Sequence, residues 1–210
     1  MPHAVLLGDS IFDNAAYVGG GPDVIRHLRQ RLPAEWQATL CAVDGAVTNG
    51  VARQLDRIPA DASHLVVSVG GNDALGYSSV LEEGARSVAG AVNLLADIRE
   101  RFQRDYRAMV EAVLARRLPT ALCTVYDARY PDPLRHRLVV TGLTVFNDVI
   151  TREAFARGLP LLDLRLICDE AEDYANPIEP SVQGGGKIAA SIVELVTAPW
   201  PQTHSVVIAR

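Results

Sequence analysis

The chain has 210 residues, 49% hydrophobic and 21% charged, with 20 basic and 25 acidic side chains and a net charge of -5. That length suits one domain with its own core, spanning 1–210 with 198–210 as a tail, and the mild acidity argues against a nucleic-acid binder, which sets clustered Lys and Arg against phosphates. No run approaches the roughly 18 apolar residues of a membrane helix, no basic-then-apolar leader is visible, and Cys41, Cys123 and Cys168 lack metal-ligand spacing, so a cytoplasmic protein without a metal is expected.

In chain order, His3 to Leu7 reads as a buried first strand. Pro22 opens a helix with Val24, Ile25, Leu28 and Leu32 on one face. Trp36 to Val43 is a second strand, and Asn49 is placed to cap a short helix carrying Val51, Leu55 and Ile58. Leu65 to Val69 is a third strand, ended by two glycines. Ser87 to Arg117 is helical, with a break expected near Gly90. Its basic stretch is interleaved with Glu100, Asp105 and Glu111 and reads as a solvated face. Thr120 to Val125 is a fourth strand, Val145 to Ala156 a helix, Leu159 to Leu164 a fifth strand, and Gln183 to Val196 the last helix. Arg165 to Ile178 reads as a long loop, and Ser205 to Ile208 as a possible edge strand. Strands alternating with helices predict an α/β protein, with helices on both faces of a mainly parallel five-stranded sheet.

In such a sheet the loops after the strands share one edge, where sites are built. Gly8-Asp9-Ser10 follows the first strand, Gly45 the second, and Gly70-Gly71-Asn72-Asp73 the third. Ser10 offers a hydroxyl that needs an adjacent base to become a nucleophile. Alternatively it caps the turn. Asn72 offers a neutral amide donor for an oxyanion or the start of an Asx-turn. Gly45 permits close backbone approach or simply makes a turn. Asp9, Asp13, Asn14 and Asp73 read as supporting residues that shape these loops. Gly184-Gly185-Gly186-Lys187 is not a phosphate loop, because it follows no strand and Ile188 stands where Ser or Thr belongs.

The pattern resembles the SGNH (GDSL-type) hydrolase family over nearly the whole chain. The resemblance implies a three-layer, flavodoxin-like α/β/α fold and cofactor-free hydrolysis of a small-molecule ester, with no nucleic-acid or membrane partner. It puts the nucleophile on Ser10 and the oxyanion hole on the N–H groups of Ser10 and Gly45 and the amide of Asn72. An acylhydrolase or lipase, a thioesterase, a carbohydrate deacetylase and an inactive binding module are all compatible with it.

The family's last block reads Asp-x-x-His followed by Pro-Ser. Here it reads Asn176-Pro177-Ile178-Glu179-Pro180-Ser181. Glu179 therefore stands at the histidine position and Asn176 at the aspartate position, where its amide can donate a hydrogen bond. Glutamate titrates about two units below histidine, a deficit of roughly 3 kcal/mol for a base, which burial can offset. His3 and His64 begin strands at the opposite edge, His27 is expected on a polar helix face, and His204 lies in the tail. His136 follows the fourth strand, on the same edge as Ser10 but in what reads as a solvated loop, and is the alternative to Glu179 for activating Ser10.

Overall fold

The computed structural model describes residues 1–200 and 206–208. β1 (His3–Gly8) is buried along its whole length. Its side chains alternate between two cores, Val5 and Leu7 in one and Leu6 in the other, as the strand repeat requires. Asp23 caps α1 (Val24–Arg31) by accepting the Arg26 N–H at 2.9 Å. β2 (Gln37–Leu40), α2 (Val51–Leu55), β3 (His64–Ser68) and α3 (Gly71–Gly76) follow. Next come α4 (Val88–Leu114), β4 (Thr120–Cys123), α5 (Pro133–Ala156), β5 (Leu161–Leu162) and α6 (Leu164–Ile167). An antiparallel hairpin of β6 (Tyr174–Asn176) and β7 (Glu179–Pro180) leads into α7 (Val182–Thr197) and β8 (Val207–Ile208).

The main sheet has the order β2-β1-β3-β4-β5-β8, with every pairing parallel. On one side Phe102, Tyr106 and Ile150 of α4 and α5 share a core with Val5, Leu7 and Val67. On the other, Leu28, Ile188 and Ile192 of α1 and α7 pack with Leu6, Val66 and Ala121. This is the expected three-layer arrangement. Among the described residues the sheet has six strands rather than five, because β8 adds to the edge beside β5. Of the expected edge strand, Ser205 lies outside the described residues.

Several boundaries differ for local reasons. β2 stops at Leu40 because the N–H groups of Cys41 and Ala42 both converge on the Leu6 carbonyl at 2.9 Å, turning the chain. β4 ends at Cys123. β5 is short because Asp163 caps α6 and Leu164 is already helical. Asn49 lies within a tight turn at Thr48–Gly50, and no side chain caps α2. Gly90 makes no break in α4, because the Ser87 hydroxyl accepts its N–H at 3.0 Å and caps the helix there. α5 begins far earlier than its buried stripe suggested. Asp132 accepts the Arg135 N–H at 2.6 Å and Pro133 takes the first helical position. Its opening turns leave Leu134 and Leu138 exposed, which hid the helix from a reading based on burial. The expected loop from Arg165 to Ile178 contains α6 and β6. None of the described helices is long and apolar enough to cross a membrane.

Candidate active site

The loop after β1 is held by backbone geometry that admits only glycine at its start. Gly8 has φ 127°, and a Cβ there would lie 1.7 Å from the Ser68 carbonyl oxygen. The Gln54 side chain brackets the same residue. It accepts the Gly8 N–H and donates to the Gly8 carbonyl, each at 2.7 Å. The Asp9 N–H then donates to Ser68 at 3.0 Å, so the chain turns sharply and leaves Ser10 beside the β1–β3 junction. In a sheet of order 2-1-3-4-5 that junction is the switch point where ligands bind.

Glu179 arrives from the other end of the chain. Its neighbours are tied down one by one. The buried Asn14 amide donates to the Pro180 carbonyl at 3.1 Å while its oxygen accepts the Val24 N–H at 3.0 Å. The Tyr126 hydroxyl donates to the Ile178 carbonyl at 2.7 Å, and the Arg129 N–H to Pro177 at 2.8 Å. Behind β7 the Ser181 N–H donates to the Asp173 carbonyl at 2.8 Å. Gly184 packs against that carbonyl so closely that a Cβ would stand 2.2 Å away. The glycine run is thus the tightly packed first turn of α7, and Lys187 pairs with Asp173 and Glu170 at 2.8 Å each.

These ties bring the Ser10 hydroxyl within 3.0 Å of Glu179 Oε1, to which it donates. Both side chains are buried, and Glu179 Oε2 has no hydrogen-bond partner. Burial pushes the Glu179 carboxyl up to about 7, against the Ser10 hydrogen bond, with the nearby Asp44 carboxylate adding to the rise. Asp9 is 2% exposed and its Oδ1 accepts the Ile11 N–H at 3.1 Å. Burial, with the Glu179 and Asp73 carboxylates near it, holds Asp9 up to about 8.

Asn176 faces Glu179 across the hairpin ladder. Its side-chain oxygen accepts the Ile178 N–H at 3.0 Å and so shapes the turn. With Oε2 unpartnered and Oε1 engaged by Ser10, the expected amide donation from Asn176 to the glutamate is not made.

Among the described residues no histidine is hydrogen-bonded to Ser10 or Glu179. His3 bonds Asp61 and Thr39, and His64 lies between Trp36 and Trp200. His27 is buried rather than on a polar face, with Nε2 on the Val182 carbonyl and Nδ1 beside Arg31. His136 sits in the first turns of α5, not in a loop, with Nδ1 buried and unpartnered. His204 lies outside the described residues.

Asn72 donates one amide hydrogen to the Ala46 carbonyl at 3.0 Å, which fastens it to the turn that holds Gly45. Gly45 is left-handed at φ 76° and exposed. That turn is joined to the β1 loop where the Asp44 N–H donates to Asp13 at 2.9 Å. Asp73 accepts the Thr48 N–H at 2.9 Å, and burial pushes its carboxyl above the usual range. Asp9, Ser10, Asn72 and Glu179 all line one cleft of about 700 Å³, and Gly45 does not. Sequence reasoning missed the brackets made by Gln54 and Tyr126. Both depend on contacts between distant segments.

Crystal structures resemble the fold at low sequence identity. An extracellular lipase from Streptomyces rimosus superposes with a TM-score of 0.64 at 14% identity, covering 94% of this chain and 99% of its own. An acetyl xylan esterase gives 0.68 at 16%, covering 92% and 99%. Phospholipase A1 from Streptomyces albidoflavus gives 0.62 at 16%, covering 93% and 98%. No curated protein matches the chain in sequence. The model of the GDSL-like lipase/acylhydrolase family matches residues 6–184, from inside β1 to the packed glycine that opens α7. The β1 serine loop, the glycine-asparagine turn after β3 and the hairpin behind Glu179 all fall within that span, and the chain belongs to the GDSL-like lipase/acylhydrolase family.

Proposed function

We propose that the chain hydrolyses carboxylic esters, with Ser10 as nucleophile and Glu179 as the base in place of an imidazole. The observation that carries this reading is the 3.0 Å hydrogen bond from the Ser10 hydroxyl to a buried carboxyl. Raised to about 7 by burial, that carboxyl has the basicity of a histidine side chain. The names lipase, acetyl xylan esterase and phospholipase A1 on structures of the same fold favour an ester as the substrate.

In this reading Ser10 Oγ attacks the acyl carbon while its proton passes to Glu179 Oε1. The oxyanion takes the Ser10 N–H and the second amide hydrogen of Asn72, each donor worth about 3 kcal/mol to the transition state, and the Gly45 N–H joins them only if its exposed turn closes over the bound ester. Glu179 returns the proton to the departing alkoxide oxygen, which leaves acyl-Ser10 and a free alcohol. Water then attacks the acyl carbon and gives its proton to Glu179. Collapse of the second intermediate returns that proton to Ser10 and releases the acid. Asp9, protonated at neutral pH, adds no second negative charge beside the base. Asn176 serves here through the hairpin turn that presents Glu179.

A fluorophosphonate tests the reading, because it reacts with an activated serine. Intact mass should rise by one adduct, mapped to Ser10 and lost in Ser10→Ala. An unmodified wild-type protein would instead mark a binding module on the same scaffold.

A further inference from the structure

Outside the cleft, a second group of side chains gathers around Ser10 and Glu179. Asp13 and Tyr17 belong to the loop after β1, and Asp44 to the turn after β2. The Asp13 N–H donates to the Asp9 carbonyl at 3.1 Å, and Asp13 in turn accepts the Asp44 N–H at 2.9 Å. The Tyr17 hydroxyl donates to Asp44 at 2.8 Å. Asp13 and Tyr17 are half-buried, Asp44 is exposed, and none of the three lines the cleft. The bond to Asp44 pushes the Tyr17 phenol up to about 12, and burial and then the charges of Glu179, Asp44 and Asp13 add to the rise. Glu179 is the inner member of this group. It is 6% exposed, its Oε2 has no partner, and Asp44 is the carboxylate whose charge adds to its own rise.

No counter-charge is built in. Among the described residues Asp163 pairs with Arg165, Glu153 with Arg107 and Asp173 with Lys187, whereas none of Asp13, Asp44 and Glu179 pairs with a cation. The sequence shows why. Residues 4–25, 40–52 and 170–186, which carry Ser10, Asp44 and Glu179, contain no Lys or Arg. Unpaired carboxylates around a reacting serine attract a positive ligand and raise its local concentration. Among the described residues no three His, Cys, Asp or Glu side chains are placed to hold a metal ion. A carboxylate beside a phenol ring is instead the pairing that recognises an organic ammonium, by charge and by the face of the ring.

We infer that the ester carries an ammonium group, held by Asp44 and Tyr17 while its carbonyl meets Ser10. The inference rests on the serine hydrolase reading and adds the class of substrate. Unit charges about 4 Å apart in water attract by roughly fivefold in affinity. The ammonium belongs either to the alcohol or to the acyl arm, and esters of the two kinds separate these sources.

The test compares kcat/KM for two pairs of esters at pH 8, with ionic strength on the order of 10 mM to keep screening weak. Acetylcholine carries the charge on the alcohol arm, and the ethyl ester of γ-trimethylammoniobutyrate carries it on the acyl arm. Each is set against its neutral isostere, in which a quaternary carbon replaces the nitrogen. Every rate is divided by that ester's own rate with hydroxide, which removes the intrinsic activation by the charge. At least one cationic ester should exceed its isostere by about threefold or more, and the better pair identifies the arm. A smaller preference in both pairs would overturn the inference and leave the hydrolase reading standing. Asp44→Asn then probes the seat itself. Asparagine can still accept the Tyr17 hydroxyl, and its N–H still reaches Asp13, so Tm should hold. The cationic-to-neutral ratio should fall to half or less, and a smaller fall overturns the inference. If the wild type cleaves none of the four esters, the hydrolase reading has failed by itself and binding decides. The methyl ketone made by replacing the ester oxygen of acetylcholine with a methylene should then raise Tm more than its neutral isostere, and Asp44→Asn should remove that difference. Equal shifts in the wild type, or a difference that survives the substitution, would overturn the inference.

Discussion

Ser10 and Glu179 stand 169 positions apart in the chain and meet through a 3.0 Å hydrogen bond, with Glu179 Oε2 buried and unpartnered behind it. A carboxylate is normally a poor base for a serine because water and hydrogen bonds stabilise its charge. Here only one oxygen has a partner, and that partner is the hydroxyl that the proposed reaction would deprotonate. Loss of solvation thus supplies the basicity that the residue type lacks.

Glu179→Gln keeps the shape and can still bond Ser10, but cannot accept its proton. The rate of p-nitrophenyl butyrate hydrolysis should fall by about 10²–10⁴-fold, with folding retained. A loss under threefold would remove Glu179 from proton transfer.

The same group predicts the pH profile. Only the ionised carboxylate accepts a proton, so kcat/KM should fall tenfold per pH unit below about 7 and level off above it. That acid limb should be missing from the residual activity of Glu179→Gln, as measured between pH 4 and pH 9.

Stability should run in the opposite direction. Asp9 moves from 3.8 to about 8 on folding, and Glu179 from 4.5 to about 7. Both keep their protons longer in the folded state, so stability is full below the unfolded values and is lost as pH rises toward the folded ones. The unfolding free energy should fall between about pH 5 and 8 by an amount on the order of a few kcal/mol, read in thermal denaturation as a falling Tm. Asp9→Asn can still accept the Ile11 N–H and carries no charge. It should flatten most of that slope and melt above the wild type at pH 8.

Asn14→Ala leaves the Val24 N–H and the Pro180 carbonyl without their partner in a buried place. The cost should be about 2–4 kcal/mol in denaturant unfolding. Because Pro180 adjoins Glu179, kcat should also fall while the acid limb shifts. A loss of stability with an unchanged profile would limit Asn14 to a structural part.

Much of the frame was legible in the sequence. Val5 and Leu7 alternate with Leu6 because a strand repeats every two residues, and Pro133 after Asp132 carried a helix start that the exposed Leu134 and Leu138 obscured. What Gln54, Asn14 and Tyr126 hold was not legible. Each bonds a backbone group on a segment far away, and no local periodicity records such a pairing.

The sequence by itself determined the order of β1 to β5 and of the helices α1, α2, α4, α5 and α7 between and after them, the loops that share the carboxyl edge, and, through the family resemblance, Glu179 at the histidine position. Local steric rules and burial patterns act over a few residues, so these features are written locally. Only the tertiary structure decided that Glu179 reaches Ser10, that Asn176 turns its oxygen to the Ile178 N–H, and that an apolar cleft opens beside them. The basicity of a carboxyl depends on the solvent around its two oxygens, and that is a property of packing between segments at opposite ends of the chain.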